Sequence, residues 1–381
     1  GAQSLGIQIA IWSIIRTTQF NRKGPLMWTL MEEHLESIGI GAGILGTGGG
    51  GNPYVGQLRA RQAIRENGAV EVLSPAEVPA DARVICIGAI GAPTVGVEKI
   101  RDYQSYYALR ALERFLGTTA TALITNEIGG SSSVEVVVPA SIAKLPIVDA
   151  DGMGRAFPEI QMKTFFTYGI PCTPMALADE KGNTAIISQA VNARWVERLA
   201  RSLTVQMGSV ACYAVAPMSA HQVRETAVPH TLSLARDLGQ AVQRARNLHE
   251  NITEAILGVC GGKVLFQGKI SDVERRTTEG FSRGKVSIGG TGEYQGHQMT
   301  IEFQNENLIA LVDERVVCVV PDLICLTDDR GEPMTTERLR YGFRVTVFGF
   351  PAPELWTTAE GLAVVGPKAF GYNLDYTPLE L

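Results

Sequence analysis

Histidine is scarce in this chain: His34, His221, His230, His249 and His297 are five residues in 381, with no HxH or HExxH among them. Local zinc motifs that place two imidazoles on one helix face are therefore absent. A divalent-metal site, zinc included, stays open only as an assembly of ligands distant in sequence, with His221 and His230 the histidines best placed on a loop to reach one. Cysteine is sparse too. The six, Cys86, Cys172, Cys212, Cys260, Cys318 and Cys325, form no CxxC pair and mostly lie in apolar runs. That pattern suits buried free thiols in a reducing compartment, so a cytoplasmic location is expected. No basic cluster interrupts a formal net charge of −5, which argues against nucleic acid as a partner. Long apolar runs are also missing. Leu5–Ile15 is apolar but falls short of the ~20 residues that cross a bilayer, and its basic residues follow it, unlike those of a secretory signal. No membrane association is expected, and residues 1–26 read as an extension ahead of a globular body beginning at Met27.

What the chain has in quantity is glycine, concentrated in GAGILGTGGGGNPYVG, Gly41–Gly56. The run Gly48, Gly49, Gly50, Gly51 contributes nothing to a core and is costly to order, yet it lets a ligand approach the backbone closely. Consecutive amides in such a run can line a nest for an anion or a developing oxyanion. No Lys-Ser/Thr follows it and no clean strand precedes it, so it is not a standard phosphate loop. A plain surface turn is the other reading.

Around this loop, short β-branched runs alternate with helical patterns. Helices are expected at Trp28–Ile38, Arg59–Glu66, Ser105–Phe115, Asn192–Leu203 and Thr231–Ala255. Strands are expected at Val70–Leu73, Arg83–Ile87, Ala122–Thr125, Leu145–Val148, Thr184–Ser188 and Val210–Ala216. This alternation predicts a three-layer α/β/α domain with a mostly parallel sheet over residues 27–260. After Gly261-Gly262 the texture becomes short alternating strands between turns, through Leu362–Val365, which predicts a β-barrel-like domain over 261–381.

Ligands of such α/β sheets sit beyond the carboxyl ends of the strands, and three polar segments fall there. Asp149 and Asp151 lie two apart after a strand, so an extended chain points both the same way. Paired carboxylates suit a general base or a divalent cation; the same residues would also serve as an Asx turn and helix cap. Arg155 and Glu159 are spaced to pair across one helical turn. Asn126 and Glu127 follow the next strand and precede two glycines. Gly91-Ala92-Pro93-Thr94 offers amides and the Thr94 hydroxyl, with Lys99 nearby as an anion contact. Cys172 is the most loop-like thiol, without a local activating group. Gln304-Asn305-Glu306-Asn307 is an unusual polar insertion in an apolar strand, expected to pair across the domain interface or to close the site.

Taken together, LGTGGGGNPYVG, GAPTVGVEK, NEIGG, VDADGMGRAFPEIQM, FQNENLIA, RYGFRV and GPKAFGYNLDY resemble the S-methyl thiohydantoin desulfurase family, from about Met27 to Tyr376. The resemblance implies an α/β/α domain followed by a β-barrel-like domain. It also implies removal of sulfur from a thiohydantoin ring, and association with hydantoinase or oxoprolinase systems. An acidic residue is expected in the family where this chain has Asn52. A hydrolytic mechanism at C2 of the five-membered ring fits the residues above. Asp149 or Asp151 would act as general base, with Glu127 a further catalytic candidate. Amides of Gly48–Gly51 with Asn126 and Thr94 would stabilise charge, and Arg155 or Lys99 would hold a substrate carboxylate. A metal-activated hydroxide on the same acids is the competing mechanism. A homo-oligomer is the expected assembly, and an accessory subunit of a hydantoinase- or oxoprolinase-type enzyme is the alternative function.

Overall fold

A computed structural model describes residues 27–91, 95, 98–99, 103–278 and 281–381. Among them, the first sheet is built from β1 (Met27–Leu30), β2 (Val70–Leu73), β3 (Arg83–Gly91), β4 (Ala122–Thr125), β5 (Ile147–Asp151), β6 (Met175–Ala178), β7 (Thr184–Ile187), β8 (Val210–Ser219) and β9 (Val228–Pro229). Their spatial order is β1-β2-β5-β4-β3-β8-β6-β7, with β9 alongside β5. The strands are parallel through β2-β5-β4-β3 and antiparallel on either side. The parallel portion is thus confined to the centre.

Both faces of this sheet are buried, and residue alternation says how. Ile85 and Ile87 join Val72, Leu123 and Ile147 in one apolar cluster, together with residues of the helices His34–Leu45, Gln104–Leu116 and Thr231–Leu248. Val84 and Cys86 point the other way, joining Ile124, Val148 and Ala150 with residues of the Ala193–Gln206 and Ala220–Thr226 helices. A strand covered on both sides reads as a continuous apolar run, which is why these strands were legible from composition. The three-layer arrangement follows.

The second sheet contains β10 (Lys263–Thr278), β11 (Phe281–Gly290), β12 (Gln298–Gln304), β13 (Glu306–Val312), β14 (Arg315–Val319), β15 (Leu323–Thr327) and β16 (Arg344–Phe350). It is antiparallel throughout, ordered β14-β13-β12-β11-β10-β16-β15. It curls into a half-barrel in which β15 approaches β13 and β14, around Val286, Ile288, Ile301, Phe303, Ile324 and Val347. Leu323, Cys325, Phe348 and Phe350 instead join the core of the first sheet, so the two parts share apolar contacts.

Several local expectations change. Trp28 lies in β1, paired antiparallel with β2, and the helix begins only at His34. The long helical pattern from Thr231 breaks at His249, a left-handed residue, and Asn251 caps a second helix, Ile252–Cys260. Leu362–Val365 is helical, within Ala359–Val365, because the Thr358 side chain accepts from the Gly361 amide and starts a turn; four apolar residues alone do not separate the two conformations. β5 runs on to Asp151, since Ala150 and Asp151 pair with β9. The two aspartates therefore belong to the strand itself.

The helices Thr231–Leu248 and His34–Leu45 cross so closely that a Cβ on Gly239 would lie 1.8 Å from the Ser37 carbonyl oxygen. Gly239→Ala should cost about 1–3 kcal/mol through overpacking. Gly258→Ala, on a helix face where an added Cβ meets nothing within 4 Å, should instead gain about 0.4–1 kcal/mol. Urea midpoints of the two variants measure the contrast.

Candidate active site

Beyond the carboxyl ends of β3, β4 and β5 lies a cavity of about 110 Å³, walled by the glycine loop, the loop after β5 and the β12–β13 turn. The loop enters it under strain. Thr47, fully buried, holds φ 51, and Gly48, Gly50 and Gly51 follow at positive φ. A β-branched residue in the left-handed region persists only when its surroundings hold it there. Gly50 and Gly51 line the cavity. Gly49 serves differently: a Cβ there would sit 1.9 Å from Glu306 Oε1, so the bare backbone makes room for that carboxyl.

β4 delivers the first acid. The Asn126 amide donates to the Ile87 carbonyl at 2.9 Å, continuing the β3–β4 pairing one step past the strand. The Thr125 hydroxyl donates to the Glu127 and Ser132 carbonyls, fixing the turn. Glu127 is buried on the cavity wall. Burial pushes its pKa up to about 7, against the opposing pull of the Ser132 hydroxyl and the Lys163 ammonium. The second acid, Glu306, comes from the start of β13. Asn305 positions it, with φ 59 and a reciprocal pair of hydrogen bonds to Ser282. Burial, then the like charge of Glu127, raises the Glu306 pKa well above the usual carboxylate range, with Arg155 opposing. Asn126 Oδ1, Glu127 Oε2 and Glu306 Oε2 are buried without a hydrogen-bond partner. Orphaned buried oxygens are costly, and three around one cavity mark a place built for a polar ligand. Lys163, fully buried, completes the wall.

The aspartates point elsewhere. Asp149 accepts from the Ser233 amide at 3.0 Å and hydroxyl at 2.5 Å, in the first turn of the Thr231–Leu248 helix. Asp151 Oδ2 accepts from the amides of Ile128, Met153 and Gly154 at 2.9, 3.0 and 2.8 Å. Neither lines the cavity; Asp151 ties cavity-forming loops to β5, and Asp149 ties the start of the Thr231–Leu248 helix to it. Arg155 is also committed. Nε donates to Ala156 O, Nη1 to Pro321 O and Asp322 O, and Nη2 to Thr47 Oγ1 and Asn307 O, all at 2.8–3.1 Å. A guanidinium has five donors, so none remains for a substrate carboxylate. Its expected partner Glu159 bonds Gln161 instead. Lys99 is held by the Met207 and Val210 carbonyls and Glu180, away from the cavity lining. Thr94 lies outside the described residues. Asn52 caps the Pro53–Asn67 helix, accepting from the Tyr54 amide at 3.0 Å, a job an acidic residue performs equally well. Burial raises the Cys172 pKa, which does not favour a thiolate nucleophile.

Among the described residues, no three His, Cys, Asp or Glu side chains gather to hold a metal ion. The cavity lining offers glutamates, a lysine and an arginine but neither histidine nor cysteine, which is not the N/S donor set of a zinc site. The cavity residues do not fit that cofactor.

Fold and cavity together define an α/β domain and a half-barrel that share one cleft holding the Glu127 and Glu306 carboxyls. Residues 33–189 match the S-Me-THD-like N-terminal domain and residues 191–379 the S-Me-THD-like C-terminal domain. The chain belongs to the S-methyl thiohydantoin desulfurase family. The family division at 189/191 falls between β7 and β8, within the first sheet, and β8 lies between β3 and β6. A crystallised protein from Chromobacterium violaceum has a similar fold, with a TM-score of 0.77 and 23% identity over 93% of this chain and 100% of its own. No curated protein matches.

Arg155→Met would strand four backbone carbonyls and the Thr47 hydroxyl. It should destabilise the protein by at least about 3 kcal/mol, read from the denaturant midpoint, with Arg155→Lys falling between.

Proposed function

We propose that the protein hydrolyses the C2–sulfur bond of an S-methyl thiohydantoin or a related five-membered cyclic amide ring. The family supplies the substrate class. The observation that carries the reading is the convergence of the partnerless oxygens of Asn126, Glu127 and Glu306 on a cavity walled by the Gly50–Gly51 backbone. Glu127 takes a proton from water as it adds to C2. Its raised pKa makes it a stronger base than an ordinary carboxylate, worth about 10²–10⁴-fold if aligned. Glu306, held protonated, donates to the ring carbonyl, and amides of the glycine loop stabilise charge there. Collapse breaks the C2–S bond, sulfur leaves with the electron pair, and Glu127 returns the proton to it as thiol. This moves the general base from the aspartates of β5 to Glu127, the acid that faces the cavity.

The test is incubation of purified protein with S-methyl thiohydantoin, thiohydantoin and hydantoin, following ring absorbance and thiol release. Release from the S-methyl ring is expected; an inert protein would sink the reading and leave an accessory subunit of a hydantoinase-type enzyme ahead. Glu127→Gln should lower kcat about 10²-fold or more.

Activity and stability should respond to pH with opposite signs. Glu127 works ionised, so kcat/KM should rise with pH through about 7. Its folded-state pKa is raised, so between about 4.5 and about 7 the native state holds a proton that the unfolded state has lost. Stability should then fall as pH rises, by up to about 1.4 kcal/mol per pH unit. Glu127→Gln should flatten the rate curve and remove only its own share of the stability slope, since burial also raises the pKa of Asp151 and Glu306. Initial rates and denaturant titrations measure the two effects.

A further inference from the structure

One polar group on the cavity wall has no part in the reaction above. Lys163 is fully buried just ahead of the Thr164–Thr167 helix, and its ammonium donates to the Ile160 carbonyl at 3.0 Å. It also lies 5.3 Å from the centre of the Tyr213 ring and 5.7 Å from that of Phe166. A lysine is seldom wholly buried, and its ammonium carries three donors. The ionisable groups that act on it are Glu127, Glu197 and Cys86. Glu197 is engaged by Arg201 and by the Ile160 amide. Of the carboxyls that line the cavity with Lys163, which are Glu127, Glu135, Glu159 and Glu306, Glu127 is the one that acts on it.

We propose that Lys163 is a second catalytic residue, donating the proton that the ring nitrogen gains as water adds to C2. The inference rests on the C2 hydrolysis proposed above. Addition of water to a C2=N bond puts an electron pair on nitrogen, and an unprotonated nitrogen anion is costly in a cavity already holding two acids. In the first step Glu127 takes a proton from water, oxygen bonds to C2, and the Lys163 ammonium protonates the nitrogen. In the second step the C2–S bond breaks and Glu127 protonates the sulfur. The C2 hydroxyl gives its proton to the Lys163 amine and becomes the carbonyl. Both residues end as they began, and the products are the hydantoin ring and methanethiol.

Lys163 must keep its proton while Glu127 has lost its own, so activity should fall again at alkaline pH. Burial lowers the Lys163 pKa below its usual 10.5, whereas it raises Cys86 to about 12 and Tyr213 well above its usual value. The alkaline limb of the rate profile is thereby assigned to the lysine.

The experiment measures kcat, KM and hydantoin-induced melting shifts against pH for wild type, Lys163→Met and Lys163→Arg. Lys163→Met should keep hydantoin binding within a few-fold, lower kcat about 10²-fold and lose the alkaline limb. Lys163→Arg keeps the charge but holds its proton too firmly to transfer it. It should bind hydantoin, turn over slowly and show no alkaline limb, and it decides the matter if the methionine variant does not fold. Undiminished kcat with an unchanged alkaline limb in either folded variant overturns the role of Lys163 alone. A wild-type protein inert toward all three rings overturns the underlying reaction.

Discussion

A guanidinium with no access to water must find every hydrogen bond inside the protein, and Arg155 finds its own only where distant pieces of chain meet. Thr47 comes from the entry to the glycine loop, Asn307 from β13, Pro321 and Asp322 from the turn before β15, and Ala156 from the loop after β5. The ring of Phe157 covers the guanidinium at 4.6 Å. Leaving out any one of these segments strands a donor in a dry interior. The residue therefore acts as a condition on assembly: the glycine loop takes its strained conformation, and the half-barrel takes its place against the first sheet, in one event. Its burial lowers the Arg155 pKa to about 10, still leaving it charged at neutral pH.

That condition sets the electrostatics of the cavity. The segment that bonds Arg155 through Asn307 also carries Glu306, and the loop that bonds it through Thr47 carries Gly49, against which the Glu306 carboxyl rests. A positive charge placed behind the wall offsets part of the cost of bringing Glu306 toward Glu127. It does not cancel it. Two carboxyls in one desolvated space share protons, so their titration belongs to the pair. Such a pair offers one group as base and keeps the other as hydrogen-bond donor at the same pH, which suits addition to a polarised ring carbon.

Much of this was legible in the chain. The central strands declare themselves because both of their faces are buried, and the glycine run because only bare backbone permits the approach of Glu306. Asn126 and Glu127 were findable from a strand end followed by two glycines. What failed to show was direction. Nothing in Val148-Asp149-Ala150-Asp151 distinguishes a carboxylate facing a cavity from one collecting backbone amides, and the extension of β5 depends on β9, nearly eighty residues downstream. Arg155 read as a substrate clamp because four of its five acceptors are main-chain carbonyls, which leave no trace in composition. Lys163 carried one weak sign, a lone charge between Glu159 and Asp179.

The glycine loop also explains how two cavity acids can come from different parts of the fold. The acid at the end of neighbouring β5, Asp151, is equally buried and its pKa is likewise raised to about 7, but its oxygens are taken up by backbone amides and line no cavity. Glu306 instead arrives from the half-barrel, over backbone with no side chains to hold it off, and closes the space that β4 leaves open. The cavity therefore takes one acid from each part of the chain, and the charge of Glu127 raises the pKa of Glu306 across the join between them.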